Sequence, residues 1–162
     1  MTNGIFILLG SNLGDKQQNL TNAKTQIEAK AGKIVTQSSI YQTAAWGKED
    51  QPVFYNQVIE IKSVLDVNEL LACLLNIEKA MGRKRVEKWG ERLIDLDILY
   101  FNNEVTDNGN LTVPHPGISH RRFTLVPLVE LASDFRHPLI GKTNAALLEE
   151  CEDRLAVEKV MV

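Results

Sequence analysis

Two cysteines in 162 residues, Cys73 and Cys151, are too few for a disulfide scaffold. Both fall in helical patterns, so reduced, packed thiols in a cytosol are expected. No apolar run approaches the roughly 18 residues needed to span a bilayer, so no membrane segment is expected. The start, Met1 to Gly4 and then Ile5 to Leu9, has no charged n-region and too short an apolar stretch for a signal peptide. Neither sign of charge dominates: 18 basic residues against 21 acidic ones leave a net −3, which argues against a general nucleic-acid binder. Repeats, low-complexity segments and linkers are absent. Gly10-Ser-Asn-Leu-Gly14 follows an apolar run, but it is neither Gly-x-Gly-x-x-Gly nor Gly-x4-Gly-Lys-[Ser/Thr]. Any nucleotide phosphates must therefore be held by metals and arginines rather than by a Walker-type loop. Gly10 and Gly14 read as a tight turn and a helix entry. His115 and His120 are spaced His-x4-His with no cysteine alongside, which argues against a zinc site.

What remains is an ordinary globular mixture, with 44% hydrophobic and 24% charged residues. It is enough for one domain over residues 1–162 with a real core. Ile5 to Leu9 reads as a buried strand. Leu20, Ala23 and Ile27 recur at helical spacing, and Gly32 stops that helix. Ile34 to Tyr41 reads as a strand, Thr43 to Gln51 as irregular, and Val53 to Ile61 as a long strand. Asp66-Val-Asn-Glu69 resembles a capping box ahead of Leu70, Leu74, Ile77 and Met81, with Gly82 as the stop. Residues 83–92 are charged and aperiodic, hence a loop, and Leu93 to Phe101 is a strand. A short strand at Leu111 to Val113 follows, then a helix over Leu125 to Ala132 with Pro127 in its first turn, and a last helix from Ala145 to Cys151. The tail from Leu155 to Val162 matches neither period. The order β-α-β-β-α-β predicts an α+β, ferredoxin-like fold, an antiparallel sheet with helices packed on it.

The strongest chemical signal is Asp95-Leu96-Asp97. Strand side chains alternate, so the two acids share a face, roughly 6.6 Å apart along the strand. Ile94, Leu96, Ile98 and Tyr100 are expected on the opposite, core-facing side. Two acids on one strand face repel unless a cation sits between them, and Mg²⁺ takes one or two carboxylates together with substrate phosphates. Alone, the pair is also what a half-exposed sheet paired with lysines would show. The segment before it changes the balance. Lys79, Arg83, Lys84, Arg85, Lys88 and Arg92, against Glu87 and Glu91, give a local +4. A cationic loop leading into a carboxylate pair suits a polyphosphate. Subtracting that +4 from the net −3 leaves −7 elsewhere, so the charge is polarised. His115, held between Pro114 and Pro116, is a candidate donor to phosphate. His137 reads as structural. Phe54 and Asn56 share one strand face, an arrangement that can hold a flat, hydrogen-bonding heterocycle.

Four ordered segments together resemble the 6-hydroxymethyl-7,8-dihydropterin pyrophosphokinase family of folate biosynthesis. They are Leu9-Gly-Ser-Asn-Leu-Gly-Asp15, the pair Ser39 to Thr43 with Phe54 to Asn56, Lys88 to Leu99, and Leu111 to Pro116 with Arg121 to Phe123. The resemblance implies an enzyme that transfers the β,γ-pyrophosphoryl group of ATP, its co-substrate, to the pterin hydroxymethyl oxygen, leaving AMP. It implies two Mg²⁺ ions on Asp95 and Asp97, and catalytic-loop arginines at Arg83 and Arg92. Glu78, Arg85, Trp89, Ile98, Thr112, His115 and Arg121 match the ATP side. Thr43, Gly47, Phe54, Asn56 and Phe123 match the pterin pocket, with Phe54 and Phe123 stacking on the ring. Ala44-Ala45-Trp46 departs from the two prolines many members carry there. The expectations that follow are a cytoplasmic monomer acting on small molecules, without nucleic-acid or membrane partners, and a length that leaves no room for a second folate-pathway enzyme. The alternatives are another Mg²⁺-dependent nucleotidyltransferase or phosphohydrolase, and a non-catalytic RNA-binding module. The last would need clustered aromatics and a basic sheet face, where this strand carries acids.

Overall fold

The computed structural model describes residues 3–43, 53–82 and 93–161. Eight strands and four helices are found there in the order β1 (Ile5–Ser11), α1 (Lys16–Lys30), β2 (Lys33–Gln37), β3 (Tyr41–Thr43), β4 (Phe54–Lys62), α2 (Val67–Ala80), β5 (Asp95–Phe101), β6 (Thr106–Asp107), β7 (Thr112–Val113), α3 (Arg122–Ala132), α4 (Asn144–Glu150) and β8 (Glu158–Lys159). The main sheet runs β5, β1, β4, β3, β8, with β2 also pairing with β4, and every pairing is antiparallel. With β2 and β3 counted as one interrupted strand, this is the predicted ferredoxin-like βαββαβ core.

The helices start where local chemistry directs. The Asp15 side chain accepts from the Gln18 N–H at 3.1 Å and opens α1. Asp66 and Glu69 form the reciprocal capping box of α2, with bonds of 2.8 and 2.9 Å. Gly32 follows the C-cap of α1, and a Cβ there would lie 2.2 Å from the Lys62 carbonyl oxygen, so only glycine fits beside β4.

Each face of the sheet has its own core. One face sets Ile5, Ile7 and Leu9 of β1 and Ile59 and Ile61 of β4 against Leu20, Ala23 and Ile27 of α1 and Leu70, Leu74 and Ile77 of α2. The other sets Phe6, Leu8, Val58, Leu99 and Tyr100 against Leu125 and Leu128 of α3, Phe135, Leu147 and Cys151. The result is three layers, helices on both faces of one sheet.

Six expectations are corrected. The strand over Ile34 to Tyr41 is broken into β2 and β3 around Ser38 to Ile40. The Ser38 hydroxyl accepts from the Val58 N–H at 3.0 Å, and its carbonyl accepts from the Gln57 amide at 2.7 Å, so side-chain bonds replace part of the ladder. Thr43 thereby belongs to a strand, not to the irregular stretch. Tyr100 does not share a face with Leu96 and Ile98. Phe6 pairs with Tyr100 and Ile7 with Ile98, so Leu99 is an extra residue, and this bulge turns Leu99 and Tyr100 onto the second core. Pro127 is the sixth residue of α3, past the first turn. Gly10 lies in β1, not in a turn. The tail forms β8, whose Glu158 and Lys159 pair with Gln42 and Tyr41.

Candidate active site

The site is built from the register of three strands. Antiparallel partners point to the same face. Gly10 pairs with Asp95 on one side and Asn56 on the other, and Asn56 pairs in turn with Tyr41. Asp95, Gly10, Asn56 and Tyr41 therefore form one row across β5, β1, β4 and β3. In the next row Asp97 sits beside Leu8, and Leu8 beside Val58. Along this face β1 carries Phe6, then Leu8, then Gly10: a large side chain, a medium one and none. Among the described residues this face carries aromatic packing at the Phe6 end and a buried glycine at the other. Phe6, Tyr100 and Phe135 close the filled end with ring centroids 4.5 to 6.2 Å apart.

At the other end an added Cβ on Gly10 would lie 2.9 Å from Asn56 Oδ1 and 3.8 Å from Phe54 Cδ1. Glycine is what lets the Asn56 amide lie this close to β1. Asn56 and Thr43 are both buried, and the Asn56 amide donates to the Thr43 hydroxyl at 3.3 Å. Thr43 pairs with Phe54, so Thr43, Phe54 and Asn56 line the same face. Phe123, near the start of α3, packs against the core of this face, and the Arg121 guanidinium lies 5.8 Å from its ring. Of the residues expected on the pterin side, Thr43, Phe54 and Asn56 share the sheet face that carries the acids, and Phe123 packs on the core of that face.

The expected ATP-side residues group around the outer edge of β5. Glu78, buried on α2, accepts from the Leu96 N–H at 2.7 Å and satisfies an edge amide between the two acids. Ile98 is buried in the first core, on the face away from Asp95 and Asp97. Thr112 lies on β7, where its hydroxyl donates to Asp107 at 3.3 Å. His115 is tied to β5 by its own N–H, which donates to the Leu99 carbonyl at 2.9 Å. Its Nδ1 accepts from the Gly117 N–H at 2.9 Å, leaving Nε2 to carry the proton. Burial, and then the Arg121 charge, push its pKa down to about 4, so at neutral pH it is an uncharged Nε2–H donor. Gly117 makes room for Arg121: a Cβ there would lie 2.8 Å from the Arg121 Nε. His137 is structural, with Nδ1 accepting from Leu139 and Ile140 at 3.2 and 3.1 Å.

Asp95 and Asp97 are both half-buried. Among the described residues no group of three or more His, Cys, Asp or Glu side chains is placed to hold a metal. A pair of half-buried carboxylates on one strand face fits Mg²⁺, which leaves most of its positions to water and phosphate oxygens. It does not fit a closed structural site. Gly47, Arg83, Arg85, Trp89 and Arg92 lie outside the described residues. Sequence reasoning missed Gly10 as the residue between Asp95 and Asn56 in this row, together with Tyr41, which pairs with Asn56, and Glu130, which accepts from the Tyr41 hydroxyl at 2.7 Å. Only the strand register exposes the first, and only the packing of α3 exposes the others.

The profile of the 7,8-dihydro-6-hydroxymethylpterin-pyrophosphokinase family matches residues 6–133. Bacillus subtilis 2-amino-4-hydroxy-6-hydroxymethyldihydropteridine pyrophosphokinase is 45% identical over 132 residues, covering 81% of this chain and 79% of its own. The Haemophilus influenzae protein of the same name is 38% identical over 157 residues, covering 96% of this chain and 95% of its own. Among solved structures, wild-type HPPK-DHPS of Plasmodium falciparum superposes with a TM-score of 0.73 at 18% identity, a likeness of fold. That match takes in 93% of this chain and 43% of the longer one, so the chain spans under half its length. With the family profile over most of the sequence and relatives at this identity along nearly its whole length, the chain belongs to the 7,8-dihydro-6-hydroxymethylpterin-pyrophosphokinase family.

Proposed function

We propose that this chain transfers the β,γ-pyrophosphoryl group of ATP to the hydroxymethyl oxygen of 6-hydroxymethyl-7,8-dihydropterin. The new bond joins that oxygen to the β-phosphorus, the bond from the β-phosphorus to the bridging α,β-oxygen breaks, and AMP leaves. The hydroxyl proton passes to solvent. The observation that carries this reading is the row in which Asp95 and Asn56 flank Gly10. In this reading the acid side would take cation-bound phosphate and the amide would read a heterocycle edge, with only Gly10 between them in the row.

In this reading Thr43, Asn56, Phe54, Phe123 and Gly47 hold the pterin. The Asn56 amide is buried and already oriented by Thr43, so it meets the ring edge with little loss of rotamer freedom. Asp95 and Asp97 hold Mg²⁺, two ions in the proposal, whose charge offsets the triphosphate oxygens. Glu78, Ile98, Thr112, His115 and Arg121 border the nucleotide along the β5 edge. His115, neutral with a fixed Nε2–H, donates to phosphate without giving up a proton. Arg83, Arg85, Trp89 and Arg92, from the basic run, supply the remaining cationic and stacking contacts. The reaction needs positioning and charge neutralisation more than covalent help. Among the described residues no helix is long and apolar enough to cross a membrane, and the corresponding proposal is a cytoplasmic monomer.

The test mixes the protein with ATP, Mg²⁺ and the dihydropterin and identifies the nucleotide product. AMP formed only when pterin and Mg²⁺ are both present is the expected result. ADP, or nucleotide turnover without pterin, would point to another Mg²⁺-dependent transferase or a phosphohydrolase and refute the proposal.

A further inference from the structure

Helix α3 carries Phe123 as its second residue and Glu130 as its ninth. Seven residues make about two turns, so both lie on one side of the helix. The Glu130 carboxylate reaches across to the sheet. Its Oε1 accepts from the Tyr41 hydroxyl at 2.7 Å and from the Ser39 N–H at 3.1 Å. Its Oε2 accepts from the same N–H at 3.1 Å and from the Ser39 hydroxyl at 3.0 Å. Ser39 sits in the gap between β2 and β3, Tyr41 is the first residue of β3, and Thr43 is its last. Tyr41 pairs with Asn56, and Thr43 with Phe54.

One carboxylate thus binds the strand that carries Thr43 to the helix that carries Phe123. The bonds persist in the charged form. Burial alone would raise the Glu130 carboxyl, but hydrogen bonds from Tyr41 and Ser39, with the Lys159 charge, outweigh it and hold it below the usual carboxylate range. Burial, with Glu130 adding to it, pushes the Tyr41 hydroxyl up to about 12, so it stays a donor. The other ties of α3 to the sheet are of a different kind. Leu125 and Leu128 pack apolar surface, which is not directional. The helix start has no side-chain cap, and its Arg122 N–H donates to Asp153 instead, at 3.0 Å. Pro127 lacks the N–H that would bond the Phe123 carbonyl, so the first turns are held less tightly from within.

We infer that Glu130 is a positioning residue for the bound heterocycle: its clamp on Ser39 and Tyr41 fixes the distance between Phe123 on α3 and the Thr43, Asn56 and Phe54 cluster on the sheet. This rests on the pterin reading of that cluster. Glu130 touches no substrate. It acts through the two elements it joins, and it acts mainly on the heterocycle: of the nucleotide-side residues only Arg121, at the start of α3, shares an element with the clamp, while Glu78, Ile98 and His115 lie on or are bonded to β5.

Steady-state kinetics of Glu130→Gln, with both substrates varied, provide the test. The amide keeps the size but turns one acceptor into a donor facing Ser39 and Tyr41. The expected result is a rise of about tenfold in KM for the dihydropterin with a much smaller change in KM for ATP, which α3 meets only through Arg121. Tyr41→Phe, which removes one hydroxyl, is expected to raise it about threefold. It carries the same comparison should Glu130→Gln fold poorly, as judged by its melting temperature. A wild-type protein that forms no pterin-dependent AMP overturns the functional reading and the clamp with it. An active wild type whose variants keep the pterin KM, lose affinity for both substrates equally, or change only in kcat overturns the clamp alone.

Discussion

The two faces of β1 read the same seven residues differently. On one face Ile5, Ile7 and Leu9 are uniformly large and all buried beneath α1 and α2. On the other, Phe6, Leu8 and Gly10 diminish step by step, and the row at the small end carries Asp95 and Asn56. One face is uniform apolar packing, and the other grades from aromatic packing to a glycine between two polar residues. The lesson is that a candidate site need not be a break in the sheet: one strand whose side chains shrink brings polar partners on the neighbouring strands into a single row.

The comparison breaks most completely at the acids. Asp97→Ala removes a carboxylate from the tapered face and leaves the uniform face untouched. Mg²⁺-dependent AMP formation should fall by at least about 10²–10³-fold, in line with the loss of one electrostatic contact to a charged transition state. The melting temperature should stay close to wild type. Near-normal turnover would remove the metal assignment.

The same comparison is sharpened from the other side by Leu9→Ala. Leu9 is fully buried in the first core, next to Gly10 in sequence but on the opposite face. Truncation should cost about 2–5 kcal/mol, the lost transfer energy plus a cavity. Denaturant unfolding would measure that loss. The folded fraction should keep its KM for both substrates, and a selective rise in pterin KM would show that the two faces are not separate.

Much of this was legible in the sequence because the signals were local. The Asp66 and Glu69 capping box, the 3- and 4-residue spacing of Leu20, Ala23, Ile27, Leu70, Leu74 and Ile77, and the alternation that puts Asp95 and Asp97 together all depend on neighbours a few residues away. What could not be read depends on pairing between distant segments. The bulge that turns Tyr100 onto the second core arises from how β5 registers against Phe6 and Ile7. The break before β3 depends on the Ser38 hydroxyl meeting Val58, twenty residues on. Glu130 looked like any acid on a helix until α3 was placed over Tyr41. Gly10 looked like punctuation after an apolar run, because a glycine at a strand end and a glycine between two polar partners in a sheet row have the same local pattern.

Gly10→Ala is the smallest change and separates the two faces most finely. Alanine restricts the unfolded chain more than glycine does, a gain of about 0.5–1 kcal/mol in a strand. Against it, the new methyl group would meet Asn56 Oδ1 at 2.9 Å, closer than real contacts allow. The amide is the part able to move, and moving it loses the 3.3 Å bond to Thr43, worth about 1 kcal/mol. The two terms nearly cancel, so stability should change by no more than about 1 kcal/mol. Binding has no such offset, since the methyl group adds bulk beside Asn56 and turns the amide away from the ring edge. Calorimetric titration of the dihydropterin, with a non-hydrolysable ATP analogue and Mg²⁺ present, should show affinity weakened by about tenfold. The affinity for the analogue itself should be unchanged. Pterin affinity equal to wild type would mean that the space above Gly10 is not where the ring lies, and that the taper of β1 serves packing on both of its faces.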